Sequence, residues 1–220
     1  MKKQFHIILI TVMVLSFIGH LILYPGLPDT IPTHWGFDGT VDGYGPKYMD
    51  LVLAALPLFI YVVLLIVPRI DPRSASYAKH RPAYQAFVTA ITLFLIILSW
   101  GSVLAVKGFA IDISQVTIIA IGILMLLMGN YLPQIRSNYT FGIKTPWTIE
   151  NEWVWRKTHQ AGGIVFCVIG IVMIAAAFLR FLMVPSFILV MAGSVWLYIY
   201  SWLLYKKVKN SGDDSQSRED

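Results

Sequence analysis

Residues 138–159 read NYTFGIKTPWTIENEWVWRKTH, a polar interval set between two apolar runs, 111–132 before it and 161–181 after it. Trp147, Trp153 and Trp155, the cations Lys144, Arg156 and Lys157 (with His159 as a fourth when protonated), and Glu150 and Glu152 fall within this one stretch. A plain connector needs none of them. The runs on either side are each close to 20 residues, which is the length at which a helix crosses a hydrocarbon core of about 30 Å.

Working outward from it, the same rhythm repeats. Apolar runs at 5–24, 49–67, 83–106, 111–132, 161–181 and 184–205 alternate with short polar intervals. Only 13% of the residues are charged, against about 25% in a soluble domain, so the main solvent is a bilayer. Lys2 and Lys3 resemble the start of a signal peptide. The first run is too long for one, and Tyr24-Pro25 is a poor cleavage site, so a retained helix is expected. Pro57 predicts a kink in the second run. The single cysteine, Cys167, lies inside an apolar run and supports no disulfide framework. In the fifth run Gly163, Cys167, Gly170, Ile174 and Ala177 make a mostly small-residue stripe, a close-packing face between helices.

Six spans put both termini on one side, and the charges choose that side. Lys2, Lys3, Arg69, Arg73, Lys79, Arg81, Arg136, Lys144, Arg156, Lys157, Lys206, Lys207, Lys209 and Arg218 fall on one face, and only Lys47, Lys107 and Arg180 on the other. Cytoplasmic loops hold the excess of Lys and Arg. The expected fold is therefore an all-α polytopic membrane protein with six transmembrane helices and both termini cytoplasmic. Its expected divisions are a helix pair with an outward loop at 1–68 and a basic cytoplasmic loop at 69–82. A four-helix region follows at 83–205 with its cytoplasmic motif at 130–160, and a disordered cytoplasmic tail at 206–220. Within the motif, Gly142 and Pro146 imply a turn-rich loop, Thr148 an N-cap, and the residues after it a short interfacial helix bending into the membrane near Gly162 and Gly163. Trp155 and His159, four apart, share a helix face.

The outward loop, 27–47, reads LPDTIPTHWGFDGTVDGYGPK. Its glycines allow tight turns, and Asp29, Asp38 and Asp42 make it locally acidic against Lys47. A folded outer cap with Trp35, Phe37 and Tyr44 at headgroup level is expected. His34, Asp38 and Asp42 are weak candidates for a metal, since they lack paired ligand spacing, and no metal or cofactor is expected. His6 and His20 in the first run are read as interface residues. There is no H-E-x-x-H, no G-x-S-x-G and no glycine-rich phosphate loop. An enzyme is thus not expected. The absence of a carboxylate in mid-span argues against a proton-coupled transporter.

Two resemblances rest on these motifs. Pro32-Thr33-His34-Trp35, Gly39, Asp42-Gly43-Tyr44 and Lys47 resemble a module of unknown function near the N-terminus of many bacterial membrane proteins. Gly129-Asn130 to Pro133, then 138–148, then Glu152 to His159, resemble the signature of the Sdp immunity (SdpI) family. That resemblance implies a multi-pass protein of the bacterial cytoplasmic membrane that protects the cell from a secreted, membrane-active toxin peptide. It also implies a signalling role in which a small cytoplasmic DNA-binding repressor is captured at the membrane, with no direct contact to nucleic acid. Membrane lipid, toxin peptide and repressor are the implied partners. On this reading His34, Trp35, Asp38, Asp42, Tyr44 and Lys47 face the toxin. Asn130, Asn138, Gly142, Lys144, Thr145, Pro146, Trp147, Glu152, Trp155, Arg156 and His159 form the cytoplasmic motif. The alternatives are a small-molecule or peptide transporter and a metal-dependent membrane hydrolase.

Overall fold

In hydrocarbon every backbone amide must bond within its own segment, so long uncharged runs become helices. A computed structural model describes residues 3–36 and 38–216. Lys2, Phe37 and Arg218 lie outside the described residues. The chain forms α1 (Lys3–Leu23), a hairpin of β1 (Thr30–Trp35) and β2 (Val41–Pro46), α2 (Tyr48–Ile70), and the short α3 (Ser76–Lys79). There follow α4 (Arg81–Val106), α5 (Ile113–Tyr131), α6 (Pro146–Glu150), α7 (Glu152–Phe178) and α8 (Met183–Gln216). Six of these helices are long and apolar enough to cross a membrane. Ile8, Ile22, Ile164, Val184 and Met191 are exposed on them, as lipid-facing side chains would be. The protein is a multi-pass membrane protein.

Each long helix packs on the next in sequence, with α1 folded over α2 and α4. At one end lie the hairpin, the start of α2 and the short α7–α8 turn. At the other lie α3, the 135–145 loop and α6. The largest buried cluster sits at the loop end, where Tyr61, Tyr84, Val88, Leu132, Phe141 and Trp155 meet.

Several details differ from the sequence expectation. The outer cap is a two-stranded antiparallel sheet rather than a coil of turns. The approach to the fifth span is two helices, not one. Thr145, not Thr148, caps α6, and Asn151 caps α7 by accepting from the backbone of Trp153 and Val154. α7 then runs through Gly162 and Gly163 without a break. The last helix continues to Gln216, so the region from Lys206 is helical that far. α2 runs through both Pro57 and Pro68.

A close backbone approach joins α5 to α7. A Cβ on Gly129 would lie 2.7 Å from the carbonyl oxygen of Gly163, and one on Gly163 would lie 2.8 Å from that of Gly129. One heptad away, a Cβ on Gly170 would lie 2.6 Å from the Gly122 oxygen. The small-residue stripe of the fifth span thus meets a matching pair of glycines on the fourth. With no hydrophobic driving force between helices in lipid, such close backbone approach carries the association. Because the obstructing atoms are backbone, they cannot rotate away. Gly170→Ala should destabilise the protein by about 1–3 kcal/mol through overpacking, seen as a lowered melting midpoint in detergent. Gly26→Ala, whose Cβ meets only the Lys107 ammonium at 3.5 Å, should leave it unchanged.

Candidate functional site

The hairpin end is built around a turn. Gly39 adopts φ +83°, and the Asp38 carboxylate accepts from the Thr40 amide at 3.0 Å and its hydroxyl at 2.7 Å. The Thr40 hydroxyl, then its amide, hold the Asp38 carboxyl below its ordinary value. Pro32 faces Tyr44 and His34 faces Gly43 across the strands, where a Cβ on Gly43 would press on the His34 Cβ at 3.0 Å. Ile31, wholly buried with Leu27 and Val103, anchors the hairpin on α4. The Ser102 hydroxyl donates to the Pro32 carbonyl, and Ser114 donates to that of Gly36 at 2.8 Å. Arg180, from the turn before α8, donates to the Asp38 carbonyl at 2.8 Å and pairs with Asp112 at 3.1 Å. The cap is therefore held by α4, α5 and the α7–α8 turn together.

His34 hydrogen-bonds Asp42 on this face and both are exposed; Asp38 and Tyr44 are exposed beside them, while Trp35 and Lys47 are half-buried. Lys47 pairs with Asp29 at 3.4 Å. Asp29 is thus partly neutralised by the loop's own cation. Among the described residues no three His, Cys, Asp or Glu side chains are grouped to hold a metal. Below the hairpin lies a cavity of about 330 Å³, bounded by Trp35, Leu53, Leu98, Ile113 and Phe187.

Deeper still, His20 is wholly buried and is not an interface residue. Its Nδ1 bonds Asp50 Oδ1 at 2.9 Å, its Nε2 lies 3.3 Å from the Ser99 hydroxyl, and its ring packs on Trp100. This is the Ser–His–Asp order of a hydrolase, but the Ser99 hydroxyl donates to the Ile96 carbonyl and all three side chains are sealed from solvent. With no access for a substrate, the arrangement clamps α1, α2 and α4. Asp50 Oδ2 has no partner. A lone carboxylate opening an apolar helix, with a histidine at the outer end of the preceding one, was the available signal for this pair.

The loop end is organised by Asn138 and Asp71, both buried. Asn138 Oδ1 accepts from the amides of Thr140 and Phe141, and its Nδ2 donates to the carbonyls of Arg136 and Phe141. Asp71 accepts from the Arg73 and Tyr139 amides and from the Tyr77 and Thr140 hydroxyls. Burial pushes the Asp71 carboxyl up, but these four donors outweigh it and leave it below its ordinary value. Burial also pushes the Tyr77 phenol up to about 12. Asp71 lies just past the end of the second span and was not singled out from sequence.

His159 stacks on Trp155 with ring centroids 4.1 Å apart. Its Nε2 accepts from the Ile143 amide at 3.0 Å and its Nδ1 lies 2.8 Å from the Trp155 carbonyl. A nitrogen that accepts an amide proton carries none, so His159 is a neutral packing residue and not a fourth cation. Gly142 has φ +118°, and a Cβ there would lie 2.4 Å from His159 Nε2. The Trp155 indole donates to the Ile135 carbonyl at 2.7 Å, and Thr145 and Thr148 form a capping box tied to Ser201 on α8. Lys144 donates to the carbonyls of Tyr139 and Thr140. Trp147 packs on Tyr198. Most of the motif therefore holds its own loop. Pro146, Glu152 and Arg156 remain exposed on its surface, and Asn130, also exposed, stands apart from the network. Glu152 and His159 do not pair.

Residues 134–205 match the SdpI/YfhL protein family, and residues 11–60 match a domain of unknown function (DUF1648). Over 216 residues the chain is 26% identical to the protein named Immunity protein SdpI of Bacillus subtilis (strain 168), covering 96% of this chain and 100% of that one. No solved structure matches.

One titration follows from the loop geometry. His80 Nδ1 accepts from the Arg136 amide, while its Nε2 is buried without a partner. Burial first, and the Arg136 charge second, push the imidazole down to about 4, with Asp71 opposing. The unfolded value is about 6.5. Below about 6.5 the unfolded chain takes up the proton and the folded loop does not, so stability is complete above that pH and is lost as pH falls through about 4. Melting midpoints measured across this window should fall with pH in the native protein and fall less in His80→Gln.

Proposed function

Because this chain is a membrane protein of the SdpI/YfhL family, we propose that it is an immunity protein, protecting a bacterium against a secreted, membrane-active peptide. The observation that carries the reading is similarity along nearly the whole chain, hairpin and loop included, to a protein named for immunity. In this reading both termini and the 135–160 region are cytoplasmic, in keeping with the excess of Lys and Arg on that face, and the hairpin faces outward. His34, Asp38, Asp42 and Tyr44 are its exposed groups, and they meet the peptide. The clamp through Ser102, Ser114 and Arg180 supports this by holding the hairpin rigidly enough to present a fixed surface.

A signalling role is the finer part of the proposal. Arg156 and Lys157, exposed on the first turns of α7 three and four residues after exposed Trp153, present charge next to aromatic surface where a small cytoplasmic repressor docks. Lys144 takes no part in that contact, since its ammonium closes the loop backbone. The two faces are separable by experiment.

The test is survival of a peptide-sensitive host expressing this chain. Expression should reduce killing, and the pair Asp38→Asn with Asp42→Asn should lose most of the protection while the protein remains in the membrane. Arg156→Gln with Lys157→Gln should leave survival intact and reduce only the expression of the immunity operon. A host killed equally with and without the protein contradicts the proposal.

A further inference from the structure

The loop end holds a cavity of about 470 Å³ that neither immunity nor repressor docking uses. That volume lies within the roughly 300–1,000 Å³ of ligand sites. Arg73, Lys79 and Arg136 line it together with Glu150, Glu152 and Ser137. Arg73 is fixed in the wall: it donates to the Ser137 hydroxyl and to the Ile149 carbonyl at 2.9 Å, and lies on the Tyr139 ring. Lys79 and Arg136 are exposed. Among the described residues, no ion pair joins any of these three cations to Glu150 or Glu152. Charges of both signs thus border one space without neutralising each other across it.

The position of that space narrows the ligand. Arg73 follows the end of α2 by three residues, Lys79 precedes the start of α4 by two, and Glu150 and Glu152 flank the start of α7. Arg136 lies two residues past the turn that ends the fourth span. Four span ends surround the cavity, which puts it at the level of the lipid headgroups. Basic pockets between span ends bind lipid phosphate, but a simple anion would leave two carboxylates facing it, Glu152 and Glu150, the latter accepting from the Tyr205 hydroxyl at 2.6 Å and still charged. An occupant with a phosphate and a nearby ammonium satisfies both sets.

We propose that this cavity binds the headgroup of a zwitterionic phospholipid of the phosphatidylethanolamine type, with its phosphate toward Arg73, Lys79 and Arg136 and its ammonium toward Glu150 and Glu152. A primary ammonium donates hydrogen bonds to carboxylates, whereas the quaternary group of phosphatidylcholine cannot, and phosphatidylglycerol has no cation at all. The site is therefore selective among lipids that share the same phosphate.

The experiment gives the full-length protein in detergent equal amounts of phosphatidylethanolamine, phosphatidylglycerol and phosphatidylcholine, and counts retained lipid by native mass spectrometry. Phosphatidylethanolamine should be retained over the other two by roughly tenfold, about 1.4 kcal/mol. Lys79→Gln with Arg136→Gln should lower retention of all three, and Glu150→Gln with Glu152→Gln should abolish only the preference. Lys209→Gln, an exposed cation outside the cavity, is the matched control and should leave the retention of all three lipids unchanged. Equal retention of the three lipids by the native protein, or retention unaffected by the Lys79 and Arg136 substitutions, overturns the site. Complete displacement of bound lipid by an equal amount of free phosphoethanolamine overturns the lipid as its source.

Discussion

The glycine contact between α5 and α7 is the constraint on which the rest of the loop end depends. Gly122 and Gly129 on one helix and Gly163 and Gly170 on the other bring two backbones together, with Cys167, Ile174 and Leu126 packed against the glycine faces. That approach fixes where α5 ends and where α7 begins, and so fixes the gap that 132–151 must bridge. Gly162, one residue from the crossing, receives Leu132 and Ile143 against its face. The buried bonds from Trp155 to Ile135 and from Ile143 to His159 then close the loop over the crossing. A looser crossing would pull these donors and acceptors apart, and each buried polar group left unpaired costs about 1–3 kcal/mol.

The hairpin end uses a different device. There the helices are joined by polar side chains inside apolar surroundings, chiefly His20 with Asp50 and Ser99, and Ser102 with the Pro32 carbonyl. A buried pair of this kind adds little net stability but is costly to break on one side alone. It therefore specifies one arrangement of α1, α2 and α4 beneath the hairpin. The exposed polar groups above it sit on a platform whose position is over-determined. Such rigidity is what a surface needs if it is to meet a ligand without first ordering itself.

The six spans were legible because length and the absence of charge decide them without reference to packing. The small-residue stripe of the fifth span was legible for a similar reason, although its partner glycines on the fourth were not paired with it. The hairpin was hidden by composition: Pro28, Pro32 and four glycines read as turns, and only the facing of His34 to Gly43 across the strands makes room for pairing. The split of α6 from α7 was hidden too, because Thr145, Thr148 and Asn151 all suit a cap and local pattern cannot rank them. Lys144, and His159 when protonated, read as cations of the stretch. Their bonds to the backbone of their own loop were long-range or conformational facts that a linear sequence does not display. His20 and Asp50 needed a pairing across two helices.

The account makes the hairpin face the surface that meets the peptide and puts the 135–160 loop on the opposite side of the membrane. The most direct measurement places a photo-activated crosslinking residue at Tyr44, exposed on the hairpin, or at Tyr139, exposed on the loop, in cells challenged with the peptide from outside. The account predicts a peptide adduct at position 44 and none at position 139. An adduct at 139, or protection that persists with no adduct anywhere on the hairpin, would contradict it.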